Sequence, residues 1–266
     1  MKIVFASVRK VQQFTSIIAN LKNFTDNVSI YFKPTGLYIQ CMDDSHCCLF
    51  ECELKACWFK SYDYEAETDQ SCIGINIGIL IKVLNTWNDS QTLSIELEPE
   101  SDTIAVNFEK NNENNTNFDK FFELSLINIE SQLLDVKLFE TLVDLIVESK
   151  IFCSLINNLM LFNDVLTLTF NDDNVECRSS GTDGSMKALI SVDDVIEYAI
   201  PESTTLVQTY SLRYVHLMCQ FNKLAPQMSL GFGESMPMTM KYILSDENDA
   251  DESFARIHLA PKIADD

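Results

Sequence analysis

FTSIIANLKNFTDNVSIYFKPTGLYIQCMDDS, residues Phe14–Ser45, reads as a helix followed by a hairpin, and the chain carries the pattern twice. Laid without a gap over Phe152–Asp183, FCSLINNLMLFNDVLTLTFNDDNVECRSSGTD, it pairs Phe14 with Phe152, Leu21 with Leu159, Phe24 with Phe162, Asp26 with Asp164, Phe32 with Phe170 and Leu37 with Val175. In each copy apolar residues at helical spacing (Phe14, Ile17, Ile18, Leu21; Phe152, Leu155, Ile156, Leu159) lead into the alternating patterns VSIYF and LTLTF. KPTG and NDDN then turn the chain into a second strand, GLYIQC and NVECRS.

The later part of each half repeats the scheme. NIGILIKVLNTW precedes TLSIELE and TIAVNFE, and SLRYVHLMCQFNK precedes MSLGFG and MTMKYIL. Four helix-plus-hairpin units, two per half, predict an α+β protein of two similar domains, 1–126 and 142–266, with a connector over 127–141. Between the halves, Lys110–Val136 opens with the polar tract NNENNTN, continues as the extended segment FDKFFELSL and ends in INIESQLLDV, so a loop leads to an edge strand and then the connector. GFGES at Gly231–Ser235 lies between two strands and not before a helix, which makes it a hairpin turn and not a phosphate loop.

The 266 residues are 46% hydrophobic and 22% charged, which excludes a disordered chain and suits a buried core in two ordinary domains. Forty Asp and Glu against 19 Lys and Arg give a net charge of −21, so any nucleic-acid contact requires the bases to gather in one place. The amino terminus MKIVFASVRKVQQF lacks an apolar signal core, and no apolar run reaches membrane-spanning length; the expectation is a soluble intracellular protein. The nine cysteines sit mostly in apolar strand patterns and read as reduced core residues. Cys41, His46, Cys47 and Cys48 lie close together but form no CxxC pair and have no second ligand cluster, so no metal and no cofactor is expected. The three histidines, His46, His216 and His258, build no nucleophile–base–acid set by spacing, which disfavours a Cys- or His-dependent enzyme.

The segments read as helical, Val8–Asn23, Gly74–Trp87, Ser149–Phe162 and Thr205–Gly233, contain no Asp or Glu. Their charges are Arg9, Lys10, Lys22, Lys82, Lys150, Arg213 and Lys223, beside Gln12, Thr15, Ser16, Asn20, Asn85, Asn157, His216 and Gln220. One short helix lacks acids by chance, but four related ones predict a shared neutral-to-basic face turned to a polyanion, with the acidic excess on the outer sheets. Few bases, no aromatic platform and no arginine cluster imply weak, sequence-independent attachment. Such attachment serves a protein that encircles a duplex and holds it by topology.

Read as a whole, the chain resembles the proliferating cell nuclear antigen (PCNA) family of sliding clamps. GLYIQCMDDSH at Gly36–His46, GINIGILIKVL at Gly74–Leu84, DTIAVNFE at Asp102–Glu109 and the terminal LAPKIADD at Leu259–Asp266 carry the resemblance. It implies a DNA-clamp fold with helices inside and sheets outside, closing as a ring of three identical subunits around double-stranded DNA. It further implies a processivity role for DNA polymerase, a clamp loader as partner, and work in the nucleus, or in a viral replication compartment if the gene is viral. The nearest rival is a subunit of the heterotrimeric checkpoint clamp, which shares the fold but differs at the edges. Edges expected to join subunits are Phe118–Leu126 and Gly184–Val192.

The resemblance also implies a groove for a partner peptide with an aliphatic and two aromatic anchors, lined by Met42, His46, Cys47, Leu49, Leu133, Leu134, Val136, Pro237, Leu259, Ala260, Pro261 and Ile263. Departures accompany it. Lys22 and Lys82 keep matching positions, but a basic pair on the first inner helix reads Thr15 and Ser16, arginines on the third read Ser154 and Asn157, and a lysine on the fourth reads Gln220. The lysine many relatives use for ubiquitin-type modification falls near Asp172, the connector lacks its usual proline near Val136, and His258 replaces a tail tyrosine.

Overall fold

The structure, a computed structural model, describes residues 1–64, 72–111, 118–129, 133–137, 139–246 and 251–262. Two compact units divide it: Met1–Asp44, Phe50–Leu133 and Leu244–Ala255 form unit 1, and Ser45–Leu49, Leu134–Ile243 and Arg256–Asp266 form unit 2. The division falls between Leu133 and Leu134, inside the segment read as the connector.

In chain order the first half runs β1 (Lys2–Val4), α1 (Val8–Leu21), β2 (Asn27–Lys33), β3 (Gly36–Met42), β4 (Cys48–Lys55), β5 (Ser61–Asp63), β6 (Cys72–Asn76), α2 (Ile77–Leu84), β7 (Gln91–Glu96), β8 (Thr103–Lys110) and β9 (Lys120–Ser125). The second runs β10 (Val143–Glu148), α3 (Ser149–Leu159), β11 (Val165–Phe170), β12 (Asn174–Gly181), β13 (Gly184–Ser191), β14 (Glu197–Ala199), β15 (Leu206–Ser211), α4 (Leu212–Cys219), β16 (Gln227–Phe232), β17 (Met238–Ile243) and β18 (Phe254–Leu259). The four helix-plus-hairpin units are all present: α1 precedes the β2–β3 hairpin, α2 β7–β8, α3 β11–β12, and α4 β16–β17.

Unit 1 contains a sheet ordered β5-β1-β7-β8-β9 and the strands β4-β3-β2-β6. Its core gathers Ile3, Phe14, Ile17, Ile18, Phe50 and Trp58, none more than 0% exposed, with Phe5 5.1 Å from the Phe14 ring. The KPTG turn closes Lys33 against Gly36, whose φ of +141° and a would-be Cβ 2.1 Å from Leu54 O admit only glycine. Unit 2 contains the sheet β13-β12-β11-β15 and the strands β14-β10-β16-β17. The Phe170 and Phe232 rings meet at 4.5 Å, tilted by 44°, in a core with Ile156, Leu166, Val215, Met240 and Tyr242.

The repeated aspartate has a visible task. Asp26 O accepts from Ile77 N at 2.9 Å, and Asp164 O accepts from Leu212 N at 2.9 Å, so each copy fixes the first residue of the next helix in its unit. Two helix readings are shortened. Within Gly74–Trp87 the chain pairs as a strand with β2 through Asn76, and the helix starts at Ile77, where Asn76 Oδ1 accepts from Ile79 N at 3.1 Å. Thr205–Gly233 holds a strand on either side of the eight-residue α4. Isoleucine-rich and alternating runs satisfy their backbone by pairing wherever a neighbouring strand is available. Among the described residues no helix is long and apolar enough to cross a membrane.

Candidate functional site

In unit 1, α1 and α2 pack together and bury Val11, Phe14, Ile17, Ile18 and Leu21 from one helix and Ile77, Leu80, Val83 and Leu84 from the other. Ser7 caps α1 by accepting from Lys10 N at 3.3 Å. The remaining face exposes Gln12, Ala19, Lys22 and Lys82, and Lys22 Nζ lies 3.9 Å from where a Cβ on Gly78 of α2 would sit. Neither helix contains an acid.

Arg9 and Lys10 are placed differently from the other candidate bases. Arg9 Nη1 donates to Asp246 Oδ1 at 2.8 Å. Lys10 is withdrawn, its side chain 7% exposed, with Nζ 3.6 Å from Asp246 Oδ2 and 5.5 Å from the Trp58 ring centre. Packing gives Lys10 a role inside unit 1 and not on the open face. The acid responsible lies far off in sequence, which hid the pair from helix-by-helix reading.

In unit 2, α3 and α4 pack together, burying Phe152, Cys153, Ile156 and Leu159 against Leu212, Val215, Met218 and Cys219. Lys150, Arg213 and Lys223 are exposed, as are Ser154, Asn157 and Asn158. His216 bridges the helices: its Nδ1 lies 2.8 Å from Asn157 Oδ1 and its Nε2 2.9 Å from Gln220 Nε2. Acids stand at the helix starts, where Glu148 precedes α3 and Asp164 Oδ1 accepts from Arg213 N at 2.7 Å.

Most of the peptide-groove candidates fall in unit 2. His46 stands exposed at a φ of 56°, Cys47 is exposed, and Leu49 is half-buried. Ala260 N donates to Cys47 O at 2.9 Å, and Lys262 N donates to Thr209 O at 2.7 Å, so two backbone bonds tie down the carboxy-terminal run. Leu134 is exposed, Val136, Pro237 and Pro261 are half-buried, and Ala260 is exposed. Leu259 is corrected: at 1% exposure its side chain belongs to the core, because it points to the inner side of β18 with Ala255 and Ile257. Ile263 lies outside the described residues. Met42, half-buried, and Leu133, 43% exposed, belong to unit 1.

A cavity of about 440 Å³ opens beside Pro237 and His258, within unit 2. Its lining includes Phe139, Asp144, Ile146, Gly231 and the cations of Lys137, Lys241 and Arg256. Gly231 leaves it open, since a Cβ there would lie 2.7 Å from both Thr141 Cγ2 and Thr239 Oγ1. Phe139, Ile146 and Gly231 were missed by the sequence reading. The signal for Ile146 was available: alternation along β10 turns Val143, Leu145 and Val147 inward and Ile146 outward.

The family model described as proliferating cell nuclear antigen, N-terminal domain, matches residues 4–133. "Proliferating cell nuclear antigen 1" of Plasmodium falciparum, isolate 3D7, is 26% identical over 258 residues, covering 92% of this chain and 92% of the relative. "Proliferating cell nuclear antigen" of Chaetomium thermophilum is 24% identical over 268 residues, covering 98% of each. The chain belongs to the proliferating cell nuclear antigen family. It is a divergent member, and its α+β architecture is that of the family's DNA-clamp fold. The PCNA family is a non-enzymatic clamp family acting in DNA replication, in keeping with a site built from helix faces and a surface groove.

Proposed function

We propose that this chain is a DNA sliding clamp, which closes as a ring of three copies, encircles duplex DNA without reading its sequence, and tethers DNA polymerase and other replication proteins. The observation that carries this reading is charge placement. In a chain of net charge −21, the open faces of all four helices carry no Asp or Glu and expose Lys22, Lys82, Lys150, Arg213 and, just beyond α4, Lys223. A duplex meets neutral and basic groups there and repulsion elsewhere.

Ring closure is supported by the strand edges. β5 and β14 have three residues each, Ile127 covers β6 at Gly74, and Lys262 covers β15 at Thr209; β9 and β13 are the long edges left open among the described residues. Antiparallel ladders alternate bonded and non-bonded pairs. The bond from Leu126 N to Asp102 O sets that alternation so that Phe121, Glu123 and Ser125 turn their backbone groups outward from β8. The bond from Val192 N to Asp173 O does the same for Ser185, Lys187 and Leu189. Paired antiparallel, the two edges set Phe121 against Leu189, Glu123 against Lys187 and Ser125 against Ser185, apolar to apolar and acid to base.

The groove of unit 2, with His46, Cys47, Leu134, Val136, Pro237, Ala260 and Pro261, takes a short partner peptide carrying a glutamine, an aliphatic residue and two adjacent aromatics. A clamp loader places the ring on DNA, and the site of action is the nucleus or a viral replication compartment. The test is topological. Protein assembled on nicked circular DNA should co-elute with it on gel filtration and be lost on linearisation with a restriction enzyme; retention on linear DNA, or none on the circle, defeats the reading.

A further inference from the structure

Two of the buried thiols lie against each other across the α3–α4 contact. Cys153, 7% exposed, donates from Sγ to the carbonyl of Cys219 at 3.3 Å, and that carbonyl also accepts from Asn222 Nδ2 at 2.7 Å. Cys219 is 2% exposed, and the two side chains are hydrogen-bonded to one another.

We propose that Cys153 and Cys219 form a dithiol modification site, which a small peroxide oxidises to a disulfide stapling α3 to α4. The proposal concerns unit 2 alone and holds whatever surface the helices face. The chemistry is asymmetric. The hydrogen bond from Cys219, with help from Asn222, holds the Cys153 thiol below its ordinary value, whereas Cys219 is pushed well above its own by the same contact and by burial. Cys153 is also the more exposed of the two, which makes it the attacking sulfur and Cys219 the resolving one.

In the first step the Cys153 thiolate attacks one peroxide oxygen, the O–O bond breaks, and hydroxide leaves and takes up a proton as water, giving Cys153 sulfenic acid. In the second, the Cys219 sulfur attacks the sulfenic sulfur, the S–O bond breaks, and the departing hydroxyl leaves as water with the Cys219 proton. Two thiols lose two electrons in all, and hydrogen peroxide is reduced to two waters. Both thiols are buried, and the neighbouring Tyr242 spends its hydroxyl proton on Met218 O at 3.2 Å.

The test uses the full chain with Cys47→Ser and Cys57→Ser, which removes the two exposed thiols. After hydrogen peroxide treatment, alkylation and non-reducing digestion, mass spectrometry should find the Cys153 and Cys219 peptides joined with the loss of two hydrogens, and separated again by a reductant. Adding Cys219→Ser should leave a sulfenic acid on Cys153 that dimedone captures, while Cys153→Ser should leave Cys219 alkylatable. Should peroxide leave both thiols alkylatable in the parent, or join either to another cysteine, the proposal is overturned. Dimedone labelling of Cys219 in preference to Cys153 would overturn the assigned roles.

Discussion

His216 Nδ1 lies 2.8 Å from Asn157 Oδ1, and this contact ties α4 to α3 at the surface of unit 2. With its proton on Nδ1 the imidazole donates to Asn157 and accepts from Gln220, so these contacts need no charge on the ring. Neutral contacts release no counterions. His216→Ala should weaken retention on DNA while leaving the slope of log affinity against log salt unchanged, whereas Lys22→Ala with Lys82→Ala should flatten that slope by roughly one for each lysine that meets a phosphate, up to about six in a ring of three copies. Salt titrations of the variants on one duplex separate the two; an unchanged slope in the double lysine variant rules those lysines off the DNA.

Asp246 predicts an effect on stability and not on DNA. It pairs with both Arg9 and Lys10, and Lys10 is nearly buried beside Trp58. Asp246→Ala should cost about 1–2 kcal/mol, kept to that range by the carboxylate's own partial exposure. Urea unfolding followed by tryptophan fluorescence gives the value, and the DNA salt slope of this variant should match that of the parent.

Edge pairing predicts charge reversal and rescue. Glu123→Lys or Lys187→Glu alone should shift light-scattering mass toward the monomer, and the two together should restore assembly, because the swapped pair reforms in the same register. Leu189→Pro removes an outward backbone donor without touching the β12 ladder, so it should yield folded monomers. Trimers of normal stability in Leu189→Pro refute this interface.

Alkaline pH should destabilise the fold. Burial raises the Cys52 thiol well above its usual value and pushes Cys177 up to about 12, while Tyr62 is likewise pushed up to about 12 by burial. Above the ordinary values the unfolded chain has lost these protons and the folded chain keeps them, so stability, full below about pH 9, falls as pH rises toward the folded values. Cys52 and Cys177, both 0% exposed, should each contribute about 1.4 kcal/mol per pH unit in that window. Urea midpoints between pH 8 and 11 should fall, and fall less steeply in Cys177→Ala.

Much of the fold was legible because local pattern and tertiary outcome agree. The helices at Phe14 and Phe152, the turns at KPTG and NDDN and the repeated Asp26 and Asp164 each follow from spacing and turn chemistry, and each serves the same purpose in both halves. What stayed hidden depends on distant chain. Asp246 takes Lys10 out of the basic set from more than two hundred residues away, Leu259 faces inward only because β18 sits in a sheet, and the Cys153–Cys219 contact exists only where two helices cross. Composition placed the bases on helices; it had no means of telling which of them a neighbour neutralises.

β9 and β13 are different edges, and that difference gives an assembly of these chains a direction. Two copies related by a two-fold axis cannot satisfy both edges, so every join leaves one β9 and one β13 unsatisfied until the series closes on itself. A pair of copies is then only a fragment with sticky ends, and dilution should take closed rings to single chains with few dimers between. Head-to-tail joining also turns every copy the same way up. The carboxy-terminal run that Cys47 and Thr209 tie down would then face the same way in every copy, so that a partner arriving along DNA meets three identical ends or none.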